Sequence, residues 1–507
     1  MRRATRRLRP SGADRLREFW VGQIDLAPLS LFRILYGLQL FNWVWQLYPN
    51  LTAFFTDEGI LPRRSLMATF ADRWSLLDLV GLWWQVAIFW VLALVVAVLL
   101  TIGWRSRLMS FFAFIVVTSF SFRDPLILDG SDLVFRLVPL WMAFSDPGAR
   151  YSIDAMARNA RGQRTGRGFA LPVRILELQV AWIYLATGLE KMTGALWPQG
   201  IATYYSLQLE HTFGRAWAKP IAENLLLARV MSWGTLAIEL AFLPLVIIPS
   251  RITRVLAVLL AAGLHLGILV LMNVGNFPVI MLSSLVLFLP PQWVDGWVAG
   301  VASIARARLA PRAVALADGA AHTAAEALPP PITLPAALRR PRRIVGAVAL
   351  TALALIAFAS AVPSSLEAIR PKGAISDLLR FAAVDQKWDM FSPEPARSDG
   401  WMLIPGTLTD GTTLDLLTAG PADDSRERYS DPLYSRWTKV FERIASSAYT
   451  DYRLEYARHI CRTTNLHLRP GEVPIQTFDV HYVERLIAAP GEGPPTFRDI
   501  KLWSHRC

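Results

Sequence analysis

Cysteine and charge are both scarce in this chain of 507 residues, and each shortage excludes a class of protein. Two cysteines cannot form the framework of a disulfide-dense miniprotein. Charged residues make up 18% of the sequence, against about 25% in ordinary soluble domains. Hydrophobic residues make up 53%, so a disordered chain and a collagen-like fibre are also excluded.

The motifs of soluble enzymes are missing as well. The sequence contains no P-loop, no dinucleotide-binding glycine pattern, no HExxH metalloprotease motif and no GxSxG nucleophile elbow. No CxxC or paired Cys/His spacing predicts a metal site, and the seven histidines are scattered. Candidate functional residues must therefore be identified from their positions in the chain.

Long apolar runs are abundant instead. A membrane-spanning helix needs about 20 largely apolar residues, and nine runs meet or approach that length. They are roughly 28–48, 80–103, 108–122, 132–146, 172–193, 228–250, 254–272, 277–290 and 344–362. These runs predict an all-α polytopic membrane bundle of about eight or nine transmembrane helices.

Lysine and arginine are distributed unequally between alternate loops. One set, which includes residues 1–27 and 291–343, holds 24 of these residues, whereas the other set holds 6. Because short cytoplasmic loops carry the excess of positive charge, the N-terminus is predicted to be cytoplasmic and the C-terminal tail extracytoplasmic in a cell-membrane protein. The net charge of +12 is then a topology signal, and no nucleic-acid partner is needed to explain it.

Five regions follow from these patterns. They are a basic cytoplasmic N-terminus (1–27), a transmembrane bundle (28–290), a cytoplasmic Ala/Arg/Pro-rich linker (291–343), a last transmembrane helix (344–362) and an extracytoplasmic domain (363–507).

The tail, residues 363–507, has the pattern of a small α+β domain. Its predicted elements are a hairpin of 401–408 and 412–418 around a TDG turn, helical spacing over 432–462, and strands at 475–487 and 496–505. Cys461 and Cys507 both fall in the tail, and in an oxidising compartment they predict a disulfide. The alternative is two unpaired thiols.

Ionisable residues inside predicted spans are the functional candidates, because their burial in a bilayer is costly. Arg33 and Glu177 lie at equal depth and predict a structural ion pair. Glu239 and His265 lie near the middle of the membrane on neighbouring predicted spans. They are either inert contacts between helices or parts of a proton path. Lys191 ends the fifth span, where it is either a snorkelling lysine or a base kept partly neutral by desolvation.

Several short phrases between residues 20 and 290 form an ordered set. They are LFRILYGL (31–38), FFTDEGILP (54–62), YSIDA (151–155), YLATGLEKMTGALWPQGIA (184–202), IEL (238–240), LHLGI (264–268) and NFP (276–278). Their order and spacing resemble the HTTM domain, the membrane domain shared with vitamin K-dependent gamma-carboxylases. WDMFSPEP (388–395) resembles the start of the extracytoplasmic region in many bacterial HTTM proteins.

The resemblance implies an enzyme related to the carboxylases, for which a quinol is a candidate cofactor. The family motif has the form Y-x-x-x-G-x-K-K, and its second lysine, the proposed base, corresponds to Lys191. Glu190 replaces the first lysine, and its negative charge favours the protonated form of Lys191. A histidine that the carboxylase uses corresponds to a position near Ser131. Both departures argue against carboxylation itself.

Three functional hypotheses follow. The first is a membrane enzyme that modifies an extracytoplasmic peptide or lipid, with Lys191, Glu239 and His265 as candidate catalytic residues. The second is a non-enzymatic membrane partner in the maturation or secretion of a peptide toxin. It rests on similarity to the HTTM-like protein that matures a bacterial sporulation-delaying toxin with a small partner of similar W-x-F-F/M-x-x-x-P phrase. The third is a transporter.

Overall fold

Each of the nine predicted apolar runs falls on a helix in the structure, a computed structural model. The structure describes residues 11–308 apart from 71, 164 and 165, and also 319, 323, 336–420, 436–466, 468 and 473–507. The proline-rich stretch 329–335 of the predicted linker lies outside the described residues.

The described residues between 11 and 308 are mostly helical. The helices are α1 (Gly12–Val21), α2 (Ala27–Trp45), α3 (Leu51–Phe55), α4 (Arg63–Thr69), α5 (Trp83–Ile102), α6 (Ser106–Arg123), α7 (Gly130–Phe144), α8 (Ile153–Ala160), α9 (Ala170–Lys191), α10 (Ala202–Gln208), α11 (Lys219–Glu223), α12 (Leu225–Ile247), α13 (Arg251–Leu271), α14 (Phe277–Ser284) and α15 (Pro291–Arg308). Two short strands, β1 (Gln23–Asp25) and β2 (Arg167–Phe169), pair antiparallel.

Four described helices are long and apolar enough to cross a membrane on their own, namely α5, α9, α12 and α13. A fifth candidate is the stretch Phe277–Phe288 joined to α15, although the chain bends by 119° between them. The shorter apolar helix Ile344–Ser360 lies in the last predicted span. The structure is therefore that of a multi-pass membrane bundle.

Local sequence explains where the long helices begin and end. Asn224 and Ser250 cap α12 and α13, because their side chains accept hydrogen bonds from backbone N–H groups three residues later. Gly103 ends α5 with a φ of 75°, which favours glycine. A Cβ atom at Gly103 would lie 1.7 Å from Arg33 Nη1, so glycine also permits this close contact.

Helix α9 lies at the centre of the bundle. Within its most apolar 18 residues, 78% are buried, compared with 28% in α12 and 22% in α13. Helix α9 packs against α7 on one side and against α12 on another, while α12 packs against α13. The side chains of α9 therefore point into the protein, and α12 and α13 form part of its outer wall.

The tail begins after α16 (Ala336–Ser360) and forms one five-stranded antiparallel sheet with three helices. Its elements are α17 (Ala374–Phe381), β3 (Ser398–Leu403), β4 (Pro405–Leu408), β5 (Thr413–Asp415), α18 (Arg436–Ala445), α19 (Arg453–Asn465), β6 (Ile475–Leu486) and β7 (Thr496–Arg506). Long strand β6 is central, with β7 along one edge and β3 and β4 sharing the other. A disulfide joins Cys461 of α19 to Cys507.

The tail prediction was right for the last two strands, which are β6 and β7. The predicted hairpin forms between β4 and β5, with Pro405 opposite Asp415. The predicted strand 401–408 is divided, however, because β3 ends at Leu403 and the N–H of Ile404 donates to the Asp415 carboxylate. The chain then continues as β4 against a different part of β6.

Candidate functional site

Lys191 and Glu239 form a buried ion pair between α9 and α12. Lys191 Nζ lies 2.5 Å from Glu239 Oε1, and the two side chains are only 6% and 9% exposed. Gly188 brings the helices together, since a Cβ atom there would lie 3.1 Å from Glu239 Cβ. Nζ also lies 4.5 Å from the centre of the Trp197 ring, a cation–π contact. Lys191 is therefore an interior residue and does not snorkel to the surface.

A second polar contact lies two helical turns earlier on α9. The Tyr184 hydroxyl is 2.7 Å from Nε2 of His265 on α13. The Tyr184 ring stacks on Phe242, and the His265 ring meets Phe277 edge to face. Glu239 and His265 thus each pair with a side chain of α9, namely Lys191 and Tyr184. These pairings depend on how each helix is rotated about its axis, which depth in the membrane does not specify.

Glu239 and His265 each retain a buried atom without a hydrogen-bond partner among the described residues. These atoms are Glu239 Oε2 and His265 Nδ1. Leaving such an atom unpaired costs about 1–3 kcal/mol. Both residues line the same cavity, whose volume is about 840 Å³. The cavity therefore contains hydrogen-bonding capacity that the protein itself does not use.

The cavity wall changes character along its length. The apolar lining side chains come from α9, α12, α13 and α14, and they include Ile183, Met231, Ile238, Leu264, Ile268, Leu271, Phe277 and Met281. Charged side chains line the part beside the tail, and they include Arg73, Asp132, Arg136, Asp385, Lys387, Asp389, Lys439 and Arg443. An amphipathic molecule matches such a wall better than a wholly polar one does.

One segment of the tail, residues 385–396, lines one side of the cavity and is called the cover segment below. The indole N–H of Trp197 donates to the Phe391 carbonyl at 2.8 Å, and Arg136 Nη2 donates to the Asp385 carbonyl at 2.7 Å. Glu394 Oε1 accepts from the backbone N–H of Ala195 at 2.6 Å. The phrase WDMFSPEP, identified by resemblance, thus contributes part of the cavity wall.

Attachment of the cover segment is expected to weaken in acid. The backbone N–H of Ala195, and then Arg397, hold the pKa of Glu394 below its ordinary value of 4.5. This stabilisation is fully present above pH 4.5 and is lost as the pH falls through the lowered pKa. A fluorophore on Lys387→Cys should report release of the segment on acidification, because both native cysteines are bonded to each other. Adding Glu394→Gln to Lys387→Cys removes the titrating carboxyl group and should abolish the change in fluorescence on acidification. If the pH profile is the same with and without Glu394→Gln, Glu394 does not control release of the cover segment.

The predicted ion pair between Arg33 and Glu177 does not form. The Arg33 guanidinium donates to the carbonyls of Leu100 and Tyr151. Glu177 instead pairs with Arg174 at 2.6 Å and with Arg254 at 3.5 Å. The two side chains point to different neighbours around their helices, which depth alone could not predict.

Both departures from the carboxylase pattern have structural roles. The Glu190 carboxylate accepts hydrogen bonds from the backbone N–H and the hydroxyl of Ser364, at 2.6 and 2.8 Å, where the chain leaves α16. Ser131 lies in the first turn of α7, where its N–H donates to Asp129. The charge of Glu190 is thus directed towards the start of the tail.

Sequence reasoning missed a buried ion pair between the tail and the bundle. Arg436 of α18 pairs with Asp132 of α7 at 2.8 Å, and the two side chains are 9% and 3% exposed. Asp132 also accepts from the Trp43 indole at 2.7 Å. An acidic residue at the start of a predicted span was the available signal, but its partner lies 304 residues away.

The long apolar helices define a multi-pass membrane protein, and its interior contains a buried Lys191–Glu239 ion pair beside a cavity. The chain belongs to the HTTM domain family, whose model matches residues 22–293, more than half of the sequence. The matched region contains Lys191, Glu239 and His265, whereas the cover segment lies beyond it.

Two relatives come from Bacillus subtilis (strain 168). The chain is 29% identical over 215 residues to the uncharacterized protein YitO, covering 40% of this chain and 66% of that protein. It is 26% identical over 210 residues to the sporulation-delaying protein SdpB, covering 39% of this chain and 63% of that protein. The chain thus spans slightly less than two thirds of either relative. No solved structure matches it.

Proposed function

We propose that this protein is a membrane enzyme that modifies an extracytoplasmic peptide or lipid, with Lys191 and Glu239 as the acid–base pair. The observation that carries the proposal is the unpaired Oε2 of Glu239 beside Lys191 in the wall of a cavity of about 840 Å³. Structural ion pairs are usually fully hydrogen-bonded when buried, since half-satisfied ones are costly. In a site that binds and releases a substrate, an unpaired oxygen such as Glu239 Oε2 is free to hydrogen-bond the substrate.

The chemistry of the pair follows from its surroundings. Lys191 Nζ and Glu239 Oε1 are in hydrogen-bond contact, so a proton can pass between the ammonium and the carboxylate. In the neutral form, the Lys191 amine accepts a proton from a substrate, and in the ionised form the ammonium returns one. Tyr184 holds His265 by one ring nitrogen, which leaves the other nitrogen to orient a polar group of the substrate.

The orientation in the membrane is part of the proposal. The proposed protein crosses the cell membrane with eight or nine helices. Its N-terminus is cytoplasmic, and residues 363–507 lie outside the cell. The 24 to 6 distribution of lysine and arginine between alternate loops supports this arrangement. The disulfide between Cys461 and Cys507 supports it too, because disulfides persist in oxidising compartments.

The candidate quinol fits the cavity in general terms. Apolar residues such as Ile183, Leu264 and Phe277 would hold its rings and tail, and the unpaired atoms of Glu239 and His265 would meet its hydroxyl groups. When bound, a quinol supplies reducing equivalents that these side chains lack.

Comparative mass spectrometry of secreted peptides and membrane lipids tests the proposal. Cells with the wild-type protein are expected to contain a modified species that cells with Lys191→Met lack, because methionine fills the same volume and cannot transfer a proton. Lys219→Met is the matched control, since Lys219 is half-exposed and pairs loosely with Glu210 at 3.6 Å. The proposal fails if the folded Lys191→Met protein yields the same modified species as the control.

A second candidate function is a non-enzymatic partner in the maturation of a secreted peptide toxin. Similarity to SdpB and the broad contact between tail and bundle favour it. This function predicts that a secreted peptide co-purifies with Lys191→Met as well as with wild type. Loss of the modified species with retention of the bound peptide would support the enzyme instead.

A further inference from the structure

Three glycines form a thin part of the cavity wall. Gly234 lies on α12, whereas Gly263 and Gly267 lie on α13, and all three line the cavity. Gly263 is exposed and the other two are half-buried, so the same residues also reach the outer surface of the bundle. A Cβ atom built on any of them would meet no atom within 4 Å. Only helix backbone and open space separate the cavity from the surroundings there.

The glycines of the two helices lie at similar depth. Helix α12 starts at Leu225 and antiparallel α13 ends at Leu271, at the same end of the bundle. With a rise of about 1.5 Å per residue, Gly234 lies about 13 Å and Gly263 about 12 Å from that end. Gly267 lies about 6 Å from the same end, so the stretch of wall bordered by the three glycines, called the gap below, spans about 6 to 13 Å from the helix ends.

The outer surface around the gap is suited to lipid. Trp233, Leu259 and Leu266 on α12 and α13 are 50%, 64% and 51% exposed. Exposed apolar side chains of this kind on long apolar helices face hydrocarbon in a membrane. A molecule that enters through the gap would come from the bilayer.

Behind the gap lie the two unpaired buried atoms. Glu239 follows Gly234 by just over one helical turn, and His265 lies between Gly263 and Gly267. Both residues are more than nine-tenths buried, and Glu239 Oε2 and His265 Nδ1 lack partners among the described residues. The opening and the polar atoms thus belong to one passage.

We propose that the gap at Gly234, Gly263 and Gly267, the lateral portal, admits an amphiphile with an acyl chain from the bilayer. Its polar head would lie at Lys191, Glu239 and His265, and its chain would extend along Ile238 and Ile268 towards the portal. The inference rests on the proposed function, because it names the substrate class of the same cavity. Lateral access favours a lipid over a peptide, which would enter beside the cover segment.

Photolabelling in lipid nanodiscs tests the portal. The probe is palmitic acid that carries a diazirine on its chain, and adducts are mapped by mass spectrometry after illumination. In the wild type, adducts are expected on cavity residues such as Met231, Thr235 and Met281 as well as on the outer surface. Absence of adducts from these cavity residues would overturn the proposal.

A leucine variant blocks the portal without removing any polar group. In Gly234→Leu/Gly263→Leu, labelling of the cavity should fall to the level of the unilluminated sample, while outer-surface labelling persists. The open space at both positions and the higher helix propensity of leucine favour folding of this variant. Gly346→Leu is the matched control, because Gly346 is exposed on α16 and also has no atom within 4 Å of its Cβ position. Equal cavity labelling in both variants would contradict a portal at these glycines.

The two proposals can fail separately. Cavity labelling is measured in the wild type, whose Lys191 is intact, and loss of the modified species is measured in Lys191→Met, so each proposal has its own measurement. If Lys191→Met abolishes modification and the wild-type cavity is not labelled, the enzyme proposal stands and the lipid portal is wrong. If the cavity is labelled and Lys191→Met changes no modified species, the portal stands and the acid–base role is wrong.

Discussion

Glu239→Leu alone is expected to destabilise the folded protein by about 3–5 kcal/mol, because Lys191 would remain in the interior without its counter-ion. The Lys191 side chain is 6% exposed, so water cannot replace the lost carboxylate without rearrangement of α9 and α12. Lys191→Met should also destabilise the protein, since Glu239 would then have both carboxylate oxygens unpaired. Denaturant unfolding of the purified protein in detergent measures both changes.

The double variant Lys191→Met/Glu239→Leu separates structure from function. Apolar side chains of similar volume replace a buried ion pair at little cost, so most of the lost stability should return. Activity should not return, because no proton can be transferred. If the double variant is as unstable as either single variant, the buried charges are not the cause of the destabilisation.

Arg436→Met is expected to release the tail from the bundle at a cost of about 3 kcal/mol or more, because it leaves Asp132 buried and unpaired. The Trp43 indole would remain as a donor to Asp132, but it brings no positive charge. Loss of this contact should also expose the adjoining cavity, since α18 contributes Lys439 and Arg443 to its wall.

Limited proteolysis of the tail and thermal unfolding report this release. Arg458→Met is the matched control, because Arg458 is 51% exposed and pairs with Glu455 only one turn away on α19. Exposed pairs of this kind contribute about 1 kcal/mol or less. Equal protease resistance in the two variants would show that the tail is held mainly by other contacts.

Helix positions could be predicted from the sequence because hydrophobicity along a chain is a local property. The run 80–103 became α5 and the run 254–272 became α13, each within three residues at either end. The strands β6 and β7 were also found, since alternating residues and turn signals are local too. The helical start of the predicted linker, α15, was not identified, because its apolar residues are interspersed with small and polar ones.

The residues of the site could be predicted from the sequence, but their partners could not, because contacts between helices are not a local property of the chain. Lys191, Glu239 and His265 could be chosen singly, because an ionisable residue in an apolar run stands out. Their partners depend on the rotation of each helix about its axis, which depth does not specify. The pairing of Lys191 with Glu239 and of Tyr184 with His265 therefore required coordinates, as did the correction of Arg33 and Glu177.

The cavity has one wall from the bundle and one from the cover segment, and a single polypeptide carries both. Because α16 tethers the tail beside the bundle, the cover segment meets its site at an effective concentration that is typically millimolar for short links. Contacts of low intrinsic affinity are then sufficient to hold the cover segment against the bundle. A cover segment that detaches also rebinds quickly, because it cannot diffuse away from its site.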